Sequence, residues 1–138
     1  MFTLEINAHF SAAHAIIMAG VREPLHGHDW HVTVAIEGPT LDADGLLVDF
    51  HWLQHELAAV IGPFHNRNLN DVEPFRSGLN PTAEHVARHI AHFLSDRLAT
   101  WSQNLPKTQS PATPRSLRVA RVRVTEAIGC AAAYVPAR

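Results

Sequence analysis

The chain has 138 residues, 46% of them hydrophobic and 17% charged, which is one domain able to bury a core rather than a disordered segment. Eleven Lys and Arg against thirteen Asp and Glu leave a formal charge of −2, without the basic footprint of a general nucleic-acid binder. No apolar run approaches the ~18 residues of a membrane span, the N-terminal stretch lacks a signal peptide's pattern, and the single cysteine, Cys130, excludes an internal disulfide and fits a cytoplasmic protein. The outlying number is eleven histidines, which makes metal binding the first question.

Residues 2–11 alternate, with Phe2, Leu4, Ile6, Ala8 and Phe10 apolar and the residues between them polar, the period of a half-buried strand. A second strand fits 28–37, where Trp30, Val32, Val34 and Ile36 share a face. Gly38-Pro39 and Asp42-Ala43-Asp44-Gly45 carry turn chemistry. Asp49 is placed to cap a helix over about 50–61, whose stripe is Phe50, Leu53, Leu57, Val60 and Ile61 and whose stop is Gly62-Pro63. After a polar loop, Asn80-Pro81 reads as a cap with proline at the first helical position, opening a second helix over about 81–99 with Val86, Ile90, Phe93, Leu94 and Leu98 on one stripe. Residues 102–116, rich in proline and small polar residues, read as a loop. A third strand fits 117–126, with Ala120, Val122 and Val124 on one face, and a short fourth fits 130–135.

The order ββααββ, with strands joined in hairpins, predicts a single α+β domain over 1–138: a four-stranded antiparallel sheet with two helices on one face. Such a sheet has two open edges, so joining of subunits into a larger closed sheet is expected.

The sharpest local feature is Leu25-His26-Gly27-His28. Two apart on an extended chain, His26 and His28 point the same way, with the parity of Trp30 and Val32, toward the core. A catalytic zinc typically takes three protein ligands and keeps a fourth position open. His14, which keeps the even parity of the first strand's apolar face, is the candidate third ligand, because a hairpin of strands one and two carries it to the same end. His51 and His55, and His85, His89 and His92, also recur at helical spacing. His51-Trp52-Leu53-Gln54-His55 lacks the glutamate a zinc protease needs, and both groups read as solvated helix faces.

Phe10-Ser11-Ala12-Ala13-His14, Leu25-His26-Gly27-His28, Val48-Asp49-Phe50, Leu69-Asn70-Asp71, Pro81-Thr82-Ala83-Glu84 and Val124-Thr125-Glu126, in that order, resemble the 6-pyruvoyltetrahydropterin synthase / 6-carboxytetrahydropterin synthase family. The resemblance spans nearly the whole chain apart from 102–116, and it implies the tunnelling fold, in which subunits build barrels stacked as hexamers with sites between subunits. It implies zinc held by His14, His26 and His28, and a pterin ring anchored by Glu126 with Thr82 near it. A carboxylate suits that anchor, since it can accept two parallel N–H bonds. The implied chemistry is elimination or cleavage in the side chain of 7,8-dihydroneopterin triphosphate or dihydroneopterin, giving a 6-carboxy-, 6-pyruvoyl- or 6-hydroxymethyl-pterin on a route to queuosine or folate.

The family's usual base, a cysteine shortly before HGH, is missing from Gly20-Val21-Arg22-Glu23-Pro24-Leu25, and Cys130 on the last strand reads as structural. The family's Leu-Asp-His-x-x-Leu-Asn stretch appears here as Phe64-His65-Asn66-Arg67-Asn68-Leu69-Asn70. Glu23, in Glu-x-x-His-Gly-His, resembles a subgroup with glutamate as base that releases the hydroxymethyl pterin, and His65 is a candidate second base. Arg22, Arg67 and Lys107 are candidates for the triphosphate by charge alone. Three readings follow: an active zinc-dependent lyase, a non-catalytic paralogue that binds zinc and pterin, and an unrelated structural zinc domain, which the shortage of cysteine disfavours.

Overall fold

A computed structural model describes residues 1–105 and 116–138. Strand β1 (Phe2–His14) pairs antiparallel with β4 (His26–Gly38), β4 with β6 (Arg118–Ala127), and β6 with β7 (Cys130–Tyr134). Two helices, α1 (Phe50–Ile61) and α2 (Ala83–Gln103), cover one face, α1 against β1 and α2 against β6 and β7. This is the α+β architecture that the periodicities predict.

Period-two burial on β1, β4 and β6 builds the sheet's half of the core from Ile6, Phe10, Trp30, Val32, Val34, Val122 and Val124. Leu53, Leu57, Ile90, Leu94 and Leu98 supply the helical half. Each such side chain contributes about 1.5–3 kcal/mol when fully buried. The opposite face carries polar cross-strand pairs, among them Asn7 with Thr33, His9 with His31 and Glu5 with Arg121, so no layer is required to cover it. Gly38 is buried where β4 ends, and a Cβ there would lie 2.7 Å from Leu117 Cδ2 and 3.0 Å from Leu47 Cδ1, so a side chain at this point would require those leucine ends to move.

Several expectations shift. Both long strands run further toward the histidines than predicted, β1 to His14 and β4 from His26. A small hairpin, β2 (Ile17–Met18) with β3 (Val21–Arg22), fills the connection, turning at Ala19 and Gly20 with φ of 50° and 78°. A two-residue strand, β5 (Arg67–Asn68), adds in parallel to the outer edge of β1, so the sheet has five strands in the order β5-β1-β4-β6-β7. Helix α2 starts two residues later than predicted and runs into the segment read as a loop. Its cap is Thr82, whose side chain accepts from the His85 N–H. Asn80 is not the cap, because its amide is spent on the backbone of Ile17.

On helix α2 the reading of His85 and His89 as solvated is corrected, while His92 is exposed as expected. His89 packs against Phe64 and Phe75, with ring centroids 5.7 and 6.4 Å away, and the His85 ring lies 2.7 Å from the Asn80 carbonyl. Burial, and then the neighbouring His92, push the His89 pKa below the usual histidine value. The unfolded chain therefore takes up this proton more readily than the folded one. Stability at this position is full above the ordinary value near 6.5 and falls as pH drops through it toward the lower folded value. Urea midpoints at pH 7.5 and 5.5 should fall further apart for the native chain than for His89→Phe; an equal drop in both overturns the assignment.

Candidate metal centre

Antiparallel register brings the three histidines together. His14 at the end of β1 lies opposite His26 at the start of β4, and Ala12 lies opposite His28. Even parity on both strands turns all three rings to the core face. The centroids of His14 and His26 are 4.8 Å apart, those of His14 and His28 5.2 Å, and those of His26 and His28 4.7 Å, all edge to face. One ring nitrogen from each residue falls within 4.8 Å of the others. Trp30 floors the cluster, edge-on to His14 and His28, and its indole N–H donates to Ala12 O at 3.1 Å. A Cβ at Gly27 would meet only Ala12 O at 3.9 Å, so space does not demand the glycine between the two histidines.

The backbone fixes the tautomers. His14 Nδ1 lies 2.8 Å from Pro81 O, and His26 Nδ1 lies 2.9 Å from Pro24 O. A carbonyl only accepts, so each Nδ1 carries the hydrogen, and each neutral ring keeps a bare lone pair on Nε2. His14 Nε2 and His28 Nε2 are buried without a hydrogen-bond partner, at about 1–3 kcal/mol each if left so. Burial lowers the His28 pKa, His14 and His26 lower it further, and Glu126 opposes them, so the ring is neutral and its lone pair available at neutral pH. Three imidazoles, two of them oriented by a carbonyl at the second nitrogen, are a donor set that suits zinc. The residues present fit the expected metal.

Glu126 lies near the end of β6, beside the bulge between Thr125 and Ala127. Its Oε1 is 2.8 Å from His14 Nε2 and 3.7 Å from His28 Nε2. The carboxylate also lines a cleft of about 500 Å³ with Thr82, Asn80, Ile16 and Cys130. Thr82 is thus both a helix cap and a cleft residue. Cys130, expected to be structural, is exposed at the rim of this cleft.

Glu23 returns to the cluster through the β2–β3 hairpin. Its Oε1 accepts from Ile16 N–H at 3.0 Å, its own N–H donates to Ile16 O at 3.0 Å, and Oε1 lies 3.8 Å from His26 Nδ1. The flanking residues are held the same way. Asn70 accepts from Ala15 N–H and donates to Ala15 O, both at 2.8 Å, and Asn80 does the same for Ile17 at 2.9 and 2.8 Å. These asparagine clips substitute for a strand partner over residues 15–17. Sequence reasoning missed them as positioning residues, although Asn70 stands within a stretch already singled out. Asn70→Ala leaves both backbone groups of the buried Ala15 unpaired, and a loss of about 1–3 kcal/mol is expected as a lower urea midpoint at unchanged slope.

His65 is not brought to the cluster. Its Nδ1 accepts from Ser11 N–H at 3.2 Å, and Asn66, at φ 56°, donates from its N–H to Ser11 O at 2.7 Å. Both serve to tie the loop to the edge of β1. Arg67 lines a shallow hollow of about 570 Å³ with His28, Asp29 and Asn66, whereas Arg22 lines a separate cleft beside Asn70 and Arg76. Lys107 falls outside the described residues.

The sequence matches the family model "6-pyruvoyl tetrahydropterin synthase" over residues 3–137. It is similar to a 6-carboxy-5,6,7,8-tetrahydropterin synthase of Bacillus subtilis (strain 168), at 39% identity over 95 residues, 64% of this chain and 62% of that protein. The chain therefore spans less than two thirds of that synthase's length. It is also similar to a dihydroneopterin monophosphate aldolase of Pyrococcus furiosus, at 33% identity over 66% of this chain and 73% of that protein. The fold is close to that of a Caenorhabditis elegans 6-pyruvoyl tetrahydropterin synthase, with a TM-score of 0.74 at 20% identity, covering 99% of this chain and 96% of that one.

Proposed function

Since the chain belongs to the 6-pyruvoyl tetrahydropterin synthase family, we propose that it is a zinc-dependent pterin lyase acting on dihydroneopterin or its phosphates, with Glu23 as base and 6-hydroxymethyl-7,8-dihydropterin as product. The observation that carries this reading is the meeting of two things at one end of the β1–β4 hairpin: three imidazoles with inward lone pairs, and a glutamate clipped to Ile16 beside His26. Similarity to an aldolase that acts on dihydroneopterin monophosphate supports cleavage over the carboxy and pyruvoyl outcomes.

His14, His26 and His28 would hold the zinc, which supplies Lewis acidity toward the hydroxyls of the substrate side chain. Glu126 and Thr82 line the cleft where the pterin ring would sit. The Glu126 carboxylate accepts from the ring's amino group and ring N–H. Glu23 takes the proton of the second side-chain hydroxyl. The bond between the first and second side-chain carbons then breaks, the second carbon leaves as an aldehyde, and the electron pair passes onto the first carbon and the ring. Glu23 returns the proton to the first carbon, which becomes the hydroxymethyl group. Arg67, which lines the hollow beside His28, is the candidate for the substrate's phosphate that this reading favours.

Incubation with dihydroneopterin, its monophosphate and its triphosphate, with products identified by mass, tests the reading. The hydroxymethyl pterin is expected. A carboxy or pyruvoyl pterin overturns the product, and no turnover with pterin still bound leaves the non-catalytic paralogue.

The assembly proposed with this function is a hexamer. Among the described residues, β1 is paired on its outer edge only at Ala12 and Ala13, and β7 is paired only with β6. Two such edges favour continuation of the sheet between copies. Sedimentation should report six times the 15.2 kDa chain. No described helix is long and apolar enough to cross a membrane.

A further inference from the structure

We propose that Glu126 is a fourth protein donor to the histidine centre, holding it closed until a pterin draws the carboxylate away. The inference rests on the reading of the site above and concerns what this side chain does before substrate arrives.

Donors sharing one tetrahedral zinc, with bonds of about 2.0–2.1 Å, lie about 3.3 Å from one another. Glu126 Oε1 stands 2.8 Å from His14 Nε2 and 3.7 Å from His28 Nε2, on either side of that figure. Hydrogen bonding does not explain the approach. The His14 ring donates from Nδ1 to Pro81 O, so the neutral ring has no second hydrogen to give. At 2.8 Å from the carboxylate, Nε2 is without a hydrogen-bond partner, because an N–H placed there misses the oxygen. Two lone-pair atoms at this separation repel unless a cation is shared between them.

The position of Glu126 gives it a second possible partner. The same carboxylate lines the cleft with Thr82 and Asn80, and its side chain is 27% exposed. Two parallel N–H donors of a pterin would compete for its oxygens. Binding of the ring then opens the fourth position, so the centre exposes a free site only when substrate is present. Competition for one carboxylate is reciprocal: pterin weakens metal binding by the factor by which metal weakens pterin binding.

The test titrates metal-free full-length protein with Zn²⁺ and Co²⁺, as native chain, Glu126→Gln and His28→Ala. Glu126→Gln should bind Zn²⁺ about tenfold or more weakly than the native chain, with the metal-free melting temperature unchanged. Equal affinities overturn the fourth donor and leave the three histidines standing. If native chain and His28→Ala both fail to bind, the site reading fails and the inference with it. A measurement on the native chain alone adds a second check: neopterin added to the Co²⁺-loaded protein should shift its visible absorption, and an unchanged spectrum with neopterin bound overturns the exchange.

Discussion

Alanine at His26 lowers zinc affinity by roughly 100- to 1,000-fold without changing the stability of the metal-free chain. Four-donor zinc sites yield about 10–16 kcal/mol, so one donor accounts for about 2.5–4 kcal/mol. His26 is the clean probe, because its side chain is 39% exposed and little packing is lost with it. His14 is 1% exposed and packed edge-on to Trp30, so His14→Ala removes a ligand and opens a cavity together. Isothermal titration, with thermal melts of the metal-free proteins, separates the two effects. The native chain with zinc at a hundred times its dissociation constant gains about 2.7 kcal/mol, or about 10 °C in melting temperature, and a chelator removes the gain. A native chain with no zinc-dependent shift would sink the metal assignment and the proposed chemistry with it.

Glu23→Gln is expected to lower kcat by about 100- to 10,000-fold at little change in KM. Glutamine keeps an oxygen able to accept from Ile16 N–H, so the clip at residues 15–17 survives and only the proton acceptor is lost. A purely structural Glu23 would show the reverse pattern, with Gln near native and Glu23→Ala lowering both stability and activity. His65→Ala, with its ring bound to Ser11 at the sheet edge, is expected to leave kcat within a few-fold of native. A loss in His65→Ala comparable with that in Glu23→Gln would show that the loop reaches a site in another copy of the chain.

The elements that could be read without coordinates are those whose burial repeats. Leu4 to Phe10 and Trp30 to Ile36 alternate because one face of each strand meets the helices, and Leu53, Leu57, Ile90 and Leu94 recur because one stripe of each helix meets the sheet. His26 and His28 could be read for the same reason, since position on a strand fixes facing. The β2–β3 hairpin left no such trace. Ile17, Met18, Val21 and Arg22 are exposed, so nothing forces their order of polar and apolar residues. His89 misled for a related reason: helical spacing places it on a face but does not say that Phe64 and Phe75 fold over it.

The sequence by itself determined the α+β order of elements and the inward facing of three imidazoles, because parity is a local property of a chain, and its ordered motifs from Phe10-Ser11-Ala12-Ala13-His14 to Val124-Thr125-Glu126 carried the resemblance to the family. Tertiary structure decided which lone pairs face the centre, through the carbonyls of Pro81 and Pro24. It also decided which side chains hold residues 15–17, through Asn70, Glu23 and Asn80, and that Glu126 reaches His14 as well as the cleft. Those contacts join residues up to 112 positions apart, as from His14 to Glu126, and depend on angles that only the packed sheet and its bulge fix.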